Sequence, residues 1–434
     1  MQVLIIGAGP AGIVTGEVIK KERPDSQVIL FTDEKSIFVR CTAPYVIAGI
    51  DDLAKCIVPD DFVTSKGLRL IREKVVEVNI KEKKVRTETG KEFSYDYLVF
   101  ATGARPFVPP IEGSNLKNVF VLRTAEDTKT IKEAIERAKR VVIVGGGMIG
   151  VEVAALLAGK KEVTIVELLP HLMYTAYDSE FCEEAEKLLS KAGVKLILGK
   201  KVEKIVGTET VESVQVDGET IPADVVLLCV GIRANKELAE KAGIATEKFG
   251  IKTNERMQTS AENVYAVGDC AASFSAVTGK PTPSGLVTTA IAQAKVAAKN
   301  ILGQEAKFSG VTNASVTKLF DYSFGRVGLT EEQAKKEGIP VKIGRFEGLT
   351  KYDMQPDAKP LKVKLVFNAD KELIGAQIFT SGNYTSAFID FASFAITKKV
   401  KAEELAELLY SAHPELTPLP FFNAIVSASE EVLQ

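Results

Sequence analysis

The chain of 434 residues has no tryptophan, only two histidines and only five cysteines, and its formal net charge is −2. Each scarcity narrows the function. Five scattered cysteines make no disulfide framework of the kind small secreted domains rely on, so a reducing cytoplasm is expected. A near-balanced charge supplies no basic patch for nucleic acid. Long apolar runs free of charge are lacking too. Met1-Gln2-Val3-Leu4-Ile5-Ile6 has no basic leader and is interrupted at once by Gly7-Ala8-Gly9-Pro10, which favours a buried strand over a signal peptide. Val141 to Gly159 carries Glu152 and several glycines and makes a poor membrane span. Neither a metal site nor a membrane or nucleic-acid partner is expected.

What is present is an internal duplication. Val3-Leu4-Ile5-Ile6 runs into Gly7-Ala8-Gly9-Pro10-Ala11-Gly12, and Val141-Val142-Ile143-Val144 runs into Gly145-Gly146-Gly147-Met148-Ile149-Gly150. Each turn precedes a helical stretch and a second apolar strand, Val28 to Phe31 and Val163 to Val166. That is a βαβ unit twice over. One glycine-rich turn is a weak signal; two, each after an apolar strand and opening a helix, are a strong one. Glycine lets backbone approach a pyrophosphate, and the helix N-terminus faces its charge.

Between the copies, Val75 to Val78 and Lys84 to Thr87 read as hairpin strands, followed by the strand Tyr97 to Phe100 and the turn Ala101-Thr102-Gly103. Arg105 to Gly113, with three prolines, reads as a linker. After Gly303 the alternation in Lys362 to Phe367 suggests an antiparallel sheet, with helices near Ser386 to Thr397 and Ala402 to Leu409.

An acid ending the second strand of each unit would accept bonds from ribose hydroxyls. In the second copy it is Glu167, which would also repel a 2′-phosphate. In the first copy the acid is displaced to Asp33 or Glu34, either of which could serve. A third element, Tyr265-Ala266-Val267-Gly268-Asp269, is a strand ending in Gly-Asp before a helix at Leu286 to Leu302. Its aspartate suits a polyol hydroxyl or a helix cap.

In these motifs the chain resembles the FAD-dependent pyridine nucleotide–disulfide oxidoreductases over essentially its full length. The matching elements, in order, are Gly7 to Gly12, Ala101 to Gly103, Gly145 to Gly150, Val230-Gly231 and Tyr265 to Asp269. The resemblance implies an α/β fold with two Rossmann-like dinucleotide-binding domains and a C-terminal α+β dimerisation domain. Residues 1–108 and 234–310 would bind FAD, 109–233 would bind NAD(P)H, and 311–434 would form the interface of a homodimer or larger assembly. Implied FAD contacts are Gly7, Gly9, Gly12, Asp33 or Glu34, Cys41, Val76, Ala101, Thr102, Gly103, Arg123 and Asp269. Implied NADH contacts are Gly145, Gly147, Gly150, Glu167 and Gly231, with NADPH the poorer donor.

Cys41-Thr42-Ala43-Pro44-Tyr45-Val46-Ile47 is similar to the single-cysteine branch of that family. The branch includes coenzyme A-disulfide, persulfide and sulfur reductases, NADH oxidases and peroxidases. Val46 excludes the dithiol branch, and Pro10 replaces the histidine of the peroxidases. Cys41 is the expected redox thiol, with Arg40 and the helix start at Pro44 as candidates to lower its pKa. His413, and less so Tyr410 or Tyr352, are candidate proton donors to a leaving thiol. Lys20, Lys21 and Arg23 could hold coenzyme A phosphates or simply complement a helix C-terminus. The implied activity is NAD(P)H-dependent reduction of a disulfide, persulfide or sulfur substrate through FAD and Cys41. The alternatives are an NADH oxidase cycling Cys41 through a sulfenic acid, and a flavoprotein redox sensor.

Overall fold

The structure is a computed structural model that describes residues 1–382 and 384–434. The chain forms two compact units. One comprises Met1–Phe107, Leu122–Lys129 and Gly231–Val311; the other comprises Val108–Val121, Thr130–Val230 and Thr312–Gln434. Among the described residues no helix is long and apolar enough to cross a membrane.

The first unit is built on a five-stranded parallel sheet, in the order Val264–Ala266, Tyr97–Phe100, Gln2–Ile6, Gln27–Phe31 and Arg69–Ile71. Val3, Leu4 and Ile5 are wholly buried, as a parallel strand covered on both faces requires. The helices Pro10–Glu22 and Val287–Ile301 pack together, and the buried Ala290, Ala294, Ala297 and Ala298 mark the covered face of the latter. From the central strand Gln2–Ile6 the chain winds to one side and later to the other. That reversal opens a crevice at the strands' C-terminal ends. The expected hairpin is present as Val75–Asn79 and Lys84–Thr87, joined by a third strand, Glu92–Ser94.

The second unit repeats the plan. Its parallel sheet runs Val119–Phe120, Val225–Leu228, Arg140–Val144, Glu162–Val166 and Lys195–Ile197. An antiparallel sheet follows, in the order Ser315–Leu319, Tyr322–Gly328, Leu373–Ser381, Pro360–Phe367 and Lys342–Leu349. The helices Tyr384–Thr397 and Ala424–Leu433 pack on it. The fold is therefore α/β, with two dinucleotide-binding sheets and a C-terminal α+β module.

Several details differ from the expectations set by the sequence. Within the proline-rich linker, Ala104–Pro106 forms a short antiparallel pair with Ile232–Ala234, and Arg105 anchors it through Asn235 and Glu237. The helix beginning at Ala402 stops at Ala406. A final helix, Ala424–Leu433, was not anticipated; Asn423 caps it by accepting the amides of Ile425 and Val426. Residues 122–129 belong to the first unit because Leu122 and Ala125 pack with Phe38, Ala43, Val46 and Cys56. Residues 109–233 and 311–434, read from sequence as separate domains, lie mostly together in the second unit, their sheets remaining distinct.

Lys364 is the buried joint of the second unit. It is 3% exposed, and its ammonium lies 2.9 Å from Asp178, 2.8 Å from Glu180 and 2.8 Å from Glu331. Burial alone would lower the Lys364 pKa, but the three carboxylates prevail and raise it. Asp178 also accepts the amides of Glu331 and Glu332 and the side-chain amide of Gln377. Against the cost of burial, these partners hold Asp178 below the usual carboxylate range. Glu331, opposed by burial in the same way, is brought to about 2 by Lys335 and Lys364.

Replacing Lys364 with Met leaves Asp178 buried without its counter-ion. Denaturant unfolding should show a loss of about 3–5 kcal/mol from the second unit. Since Asp178 and Glu331 have lowered pKa values, their contribution is complete above the ordinary carboxylate range. It fades as pH falls through that range toward about 2. An acid titration of the Lys364→Met variant should lack that part of the transition.

Candidate active site

The crevice of the first unit is a cleft of about 550 Å³. Its floor is the first glycine turn. Gly7 has φ +123°, and a β-carbon there would collide with the Ala101 carbonyl. A β-carbon on Gly12 would collide with the Gly7 carbonyl, so glycine alone lets the helix start this close to the strand. Gly9 is different: nothing but the Arg40 Nη1, 3.9 Å from its β-carbon position, stands over it. The helix Pro10–Glu22 begins there with no side-chain cap and no acid in its first turn. Its leading amides remain available to an anion.

Arg40, Arg123, Asp33, Glu34 and Asp269 are among the charged residues that line the same cleft. Asp269 follows the strand Val264–Ala266 on a short turn that Gln293 positions. The Gln293 side-chain oxygen accepts the Gly268 amide at 2.8 Å, and its nitrogen donates to Ser273 at 2.9 Å. Burial pushes the Asp269 carboxyl up, against the pull of Arg123 and Arg40. Arg123 lies 3.9 Å from Asp269; burial, then repulsion from Arg40, lowers its pKa. Arg40 pairs with Glu34, and its buried Nε has no hydrogen-bond partner among the described residues. Asp33 sits 3.5 Å from Lys74 at the more exposed rim. Thr102 and Gly103 are fixed by Asn235, which accepts the Thr102 hydroxyl at 2.6 Å and gives its own amide to Gly103 at 2.9 Å.

These features fit FAD. Open amides at a glycine turn, two arginines and an orphaned guanidinium nitrogen suit a diphosphate. Acids at two strand ends suit sugar and polyol hydroxyls.

Cys41 lies on the one-turn helix Arg40–Thr42, which continues into Ala43–Ile47. The turn is tied down where Val39 donates its amide to Cys56 at 2.9 Å and Thr42 donates its hydroxyl to Val39 at 2.7 Å. Cys41 is exposed and free, outside the cleft lining that its neighbour Arg40 joins. Cys56, Cys182 and Cys270 are free but buried. Cys229 is partly covered, and burial pushes its thiol up to about 12.

In the second unit the other glycine turn has the same geometry. Gly145 has φ +105°, and a β-carbon on Gly150 would collide with the Gly145 carbonyl. Gly147 is open. Glu167 reaches back across this turn, accepting the Gly146 amide at 2.5 Å and the Leu169 amide at 2.7 Å. Gly231, with φ +97°, is also open, and it lies at the edge of the first unit.

His413 is in an exposed loop. Its Nδ1 accepts the Glu415 amide at 3.2 Å, which leaves the ring proton on Nε2 when neutral. Tyr410 donates its hydroxyl to the Pro420 carbonyl at 2.5 Å. Lys20, Lys21 and Arg23 stand at the far end of a 13-residue helix from Gly9, about 20 Å away. Lys20 donates to the Pro24 and Ser26 carbonyls at 2.5 and 3.0 Å, and Arg23 rests 3.7 Å from the Met1 sulfur. Val76 lines the cleft. Asn235 and Gln293 were missed by sequence reasoning. Gln293 had a signal, a polar side chain within the alanine-rich face of a helix; Asn235 had none.

The sequence profile of the pyridine nucleotide-disulphide oxidoreductase family matches residues 1–300, and that of its dimerisation domain matches residues 314–419. The chain belongs to this family of FAD- and NAD(P)H-dependent oxidoreductases. An NADH oxidase of Methanocaldococcus jannaschii is 42% identical over 430 residues, 96% of each chain. The NAD(P)H coenzyme A polysulfide/persulfide reductase of Pyrococcus horikoshii is 37% identical over 390 residues, 88% of this chain and 87% of that one. The solved structure of an NAD-dependent persulfide reductase from A. fulgidus has a TM-score of 0.95 at 30% identity, covering 100% of this chain and 83% of that one.

Gly9 and Gly12 of the first glycine turn should fail differently. Gly9→Ala meets no protein backbone, so it should keep the wild-type melting temperature while losing flavin, because its methyl stands where the ligand approaches. Gly12→Ala must push the helix off the strand and should lose both. Thermal melts and the flavin-to-protein absorbance ratio of each purified variant check this.

Proposed function

We propose that this enzyme uses NADH to reduce a disulfide or persulfide, with Cys41 as the thiol that meets the sulfur substrate. One observation carries the reading. Cys41 is free and exposed on a turn whose preceding residue lines the FAD cleft, whereas the other cysteines are buried or partly covered. The polysulfide/persulfide reductase named for the Pyrococcus relative and the A. fulgidus persulfide reductase support the same acceptor class.

Bound FAD supplies two-electron transfer from nicotinamide to sulfur. The chain's residues do the rest. The Cys41 thiolate attacks one sulfur of the substrate, forming a new S–S bond as the substrate's own S–S bond breaks. One thiolate leaves and takes up a proton. Two electrons then cleave the bond on Cys41, restoring its thiolate and releasing the second thiol or sulfide. His413 is the proposed proton source for the departing sulfur, through its Nε2. Tyr410 is less suited, since its hydroxyl proton is engaged by Pro420.

Assembly as a homodimer belongs to this reading. The loop that carries His413 also exposes Leu409 (96%), Leu416 (72%) and Phe421 (86%), within and beside the matched dimerisation region. Exposed apolar side chains this closely spaced suit an interface. We place the active centre between subunits, and the enzyme in the cytoplasm, where five free cysteines stay reduced.

A second reading has specific support. The Methanocaldococcus relative is an NADH oxidase, and an exposed single cysteine can hold a sulfenic acid. Substrate assays separate the two. Cys41→Ser should still let NADH bleach the flavin in a stopped-flow experiment, because that step uses only the nucleotide sites. Reduction of a coenzyme A disulfide or persulfide should fall to background. Retention of the wild-type rate would remove Cys41 from the mechanism.

For the nucleotide, Glu167→Ala should reduce the NADH-to-NADPH ratio of kcat/KM by about tenfold or more, the loss of one charge-assisted bond. An unchanged ratio would separate Glu167 from ribose recognition. For assembly, mixing inactive Cys41→Ser with an inactive His413→Ala variant under proven subunit exchange should restore part of the activity. No recovery would place His413 outside a shared site.

A further inference from the structure

Arg40 is the residue whose surroundings the reaction does not explain. It adjoins the redox thiol, yet its guanidinium is committed elsewhere. Nη2 donates to Glu34. Nη1 stands 3.9 Å from the β-carbon position of Gly9, the open glycine of the FAD turn. Nε is buried and has no partner among the described residues, an arrangement that disfavours a charged group unless an acceptor arrives. Arg123 converges from another segment, its Nη2 3.1 Å from the β-carbon position of Gly103 and its Nη1 3.9 Å from Asp269. The two cations repel each other across the cleft, which adds to the burial that lowers the Arg123 pKa.

Two arginines in one cleft lining, Arg40 over Gly9 and Arg123 over Gly103, describe a receptor for a doubly charged anion with several acceptor oxygens. Glu34 and Asp269 balance them but leave the donors facing Gly9 unused. The turn that presents Cys41 is short, and Arg40 is its first residue. Whatever fixes the Arg40 side chain therefore fixes the start of the turn that carries the thiol.

We propose that Arg40 is a positioning residue that joins the FAD diphosphate to the Cys41 turn, steadied by Glu34, so that cofactor occupancy sets the placement and reactivity of Cys41. This rests on the FAD reading of the cleft and on Cys41 being the redox thiol. It accounts for the displaced acid of the first βαβ unit, because Glu34 then orients Arg40, a role distinct from a ribose contact. It also differs from the expectation that Arg40 activates the thiol directly, because its geometry serves the cofactor cleft.

The test uses the holoenzyme and three variants, Arg40→Met, Arg40→Lys and Glu34→Gln. The first readout is FAD release on dilution, followed by the rise in free-flavin fluorescence. The second is the iodoacetamide alkylation rate of Cys41 against pH, read by mass spectrometry with and without saturating FAD. Wild type should release FAD slowly, and its Cys41 alkylation rate should change severalfold when flavin is stripped. Arg40→Met should release FAD about tenfold faster or more, the loss of one charge-assisted contact. Its alkylation rates with and without FAD should converge, while the pH midpoint in saturating FAD stays that of wild type. Arg40→Lys, which keeps the charge but loses the fork, should fall between. Glu34→Gln should weaken the coupling with less effect on FAD release.

Two results overturn the proposal. One is FAD release from Arg40→Met within twofold of wild type. The other is a raised Cys41 titration midpoint with normal flavin retention, which would make Arg40 a direct activator of the thiol. Melting temperatures in saturating FAD separate either result from misfolding. Because flavin release does not depend on the electron acceptor, failure of the disulfide assignment would leave this readout intact.

Discussion

The closeness of strand and helix at the first glycine turn is the constraint on which the first unit depends. A β-carbon at Gly7 or Gly12 would strike backbone carbonyls of Ala101 or Gly7. The hydrogen side chain of glycine is what brings the first amides of Pro10–Glu22 to the mouth of a fully buried parallel strand. From that approach follow the open amides, the crevice at the reversal of strand order, and the convergence of Asp269, Arg123 and Arg40 on one volume. The duplication at Gly145 and Gly150 meets the same constraint, so both units use one solution to hold a dinucleotide.

Charge decides how that cleft relates to the thiol. Buried or half-buried groups of both signs face one another: Glu34 with Arg40 and Asp269 with Arg123. Burial raises the Asp269 pKa and lowers that of Arg123, so neither charge is comfortable, and an anion with several acceptor oxygens would relieve the arginines. Cys41 stands outside this set, exposed, on a turn pinned beneath by Phe38, Ala43, Val46 and Ala125. A rigid seat with an exposed sulfur suits exchange with a soluble disulfide. The second unit uses charge differently. Around the buried Lys364 three carboxylates, of which Asp178 is itself buried, satisfy the ammonium, and the result is a fixed joint between the nucleotide sheet and the antiparallel sheet.

Much of this was legible in the residues because the determinants are local. Strand, glycine turn and helix start are consecutive in sequence, so both βαβ units and the Gly-Asp strand end could be read directly. The hairpin at Val75 and Lys84 was legible for the same reason. Long-range partners were not. Whether Asp33 or Glu34 matters turns on where Lys74 and Arg40 place their cations, and no local pattern encodes that. Arg40 adjoins Cys41 in sequence, but its guanidinium pairs with Glu34 and stands over Gly9, which adjacency alone does not encode. The helix Ala424–Leu433 had a legible cap in Asn423, but the phenylalanines and prolines before it masked the signal. The assignment of Leu122–Lys129 to the first unit rests on packing with Phe38, Ala43 and Val46 around the Cys41 turn, which a linear reading cannot see.

The central claim is that Cys41 alone forms the covalent bond to the sulfur substrate. The most direct test is intact and peptide mass spectrometry of the oxidised holoenzyme mixed with coenzyme A disulfide in the absence of NADH. The account predicts one coenzyme A per subunit, on Cys41, removed when NADH is added. An adduct on Cys229 or another cysteine, or no adduct while disulfide turnover continues, would contradict it.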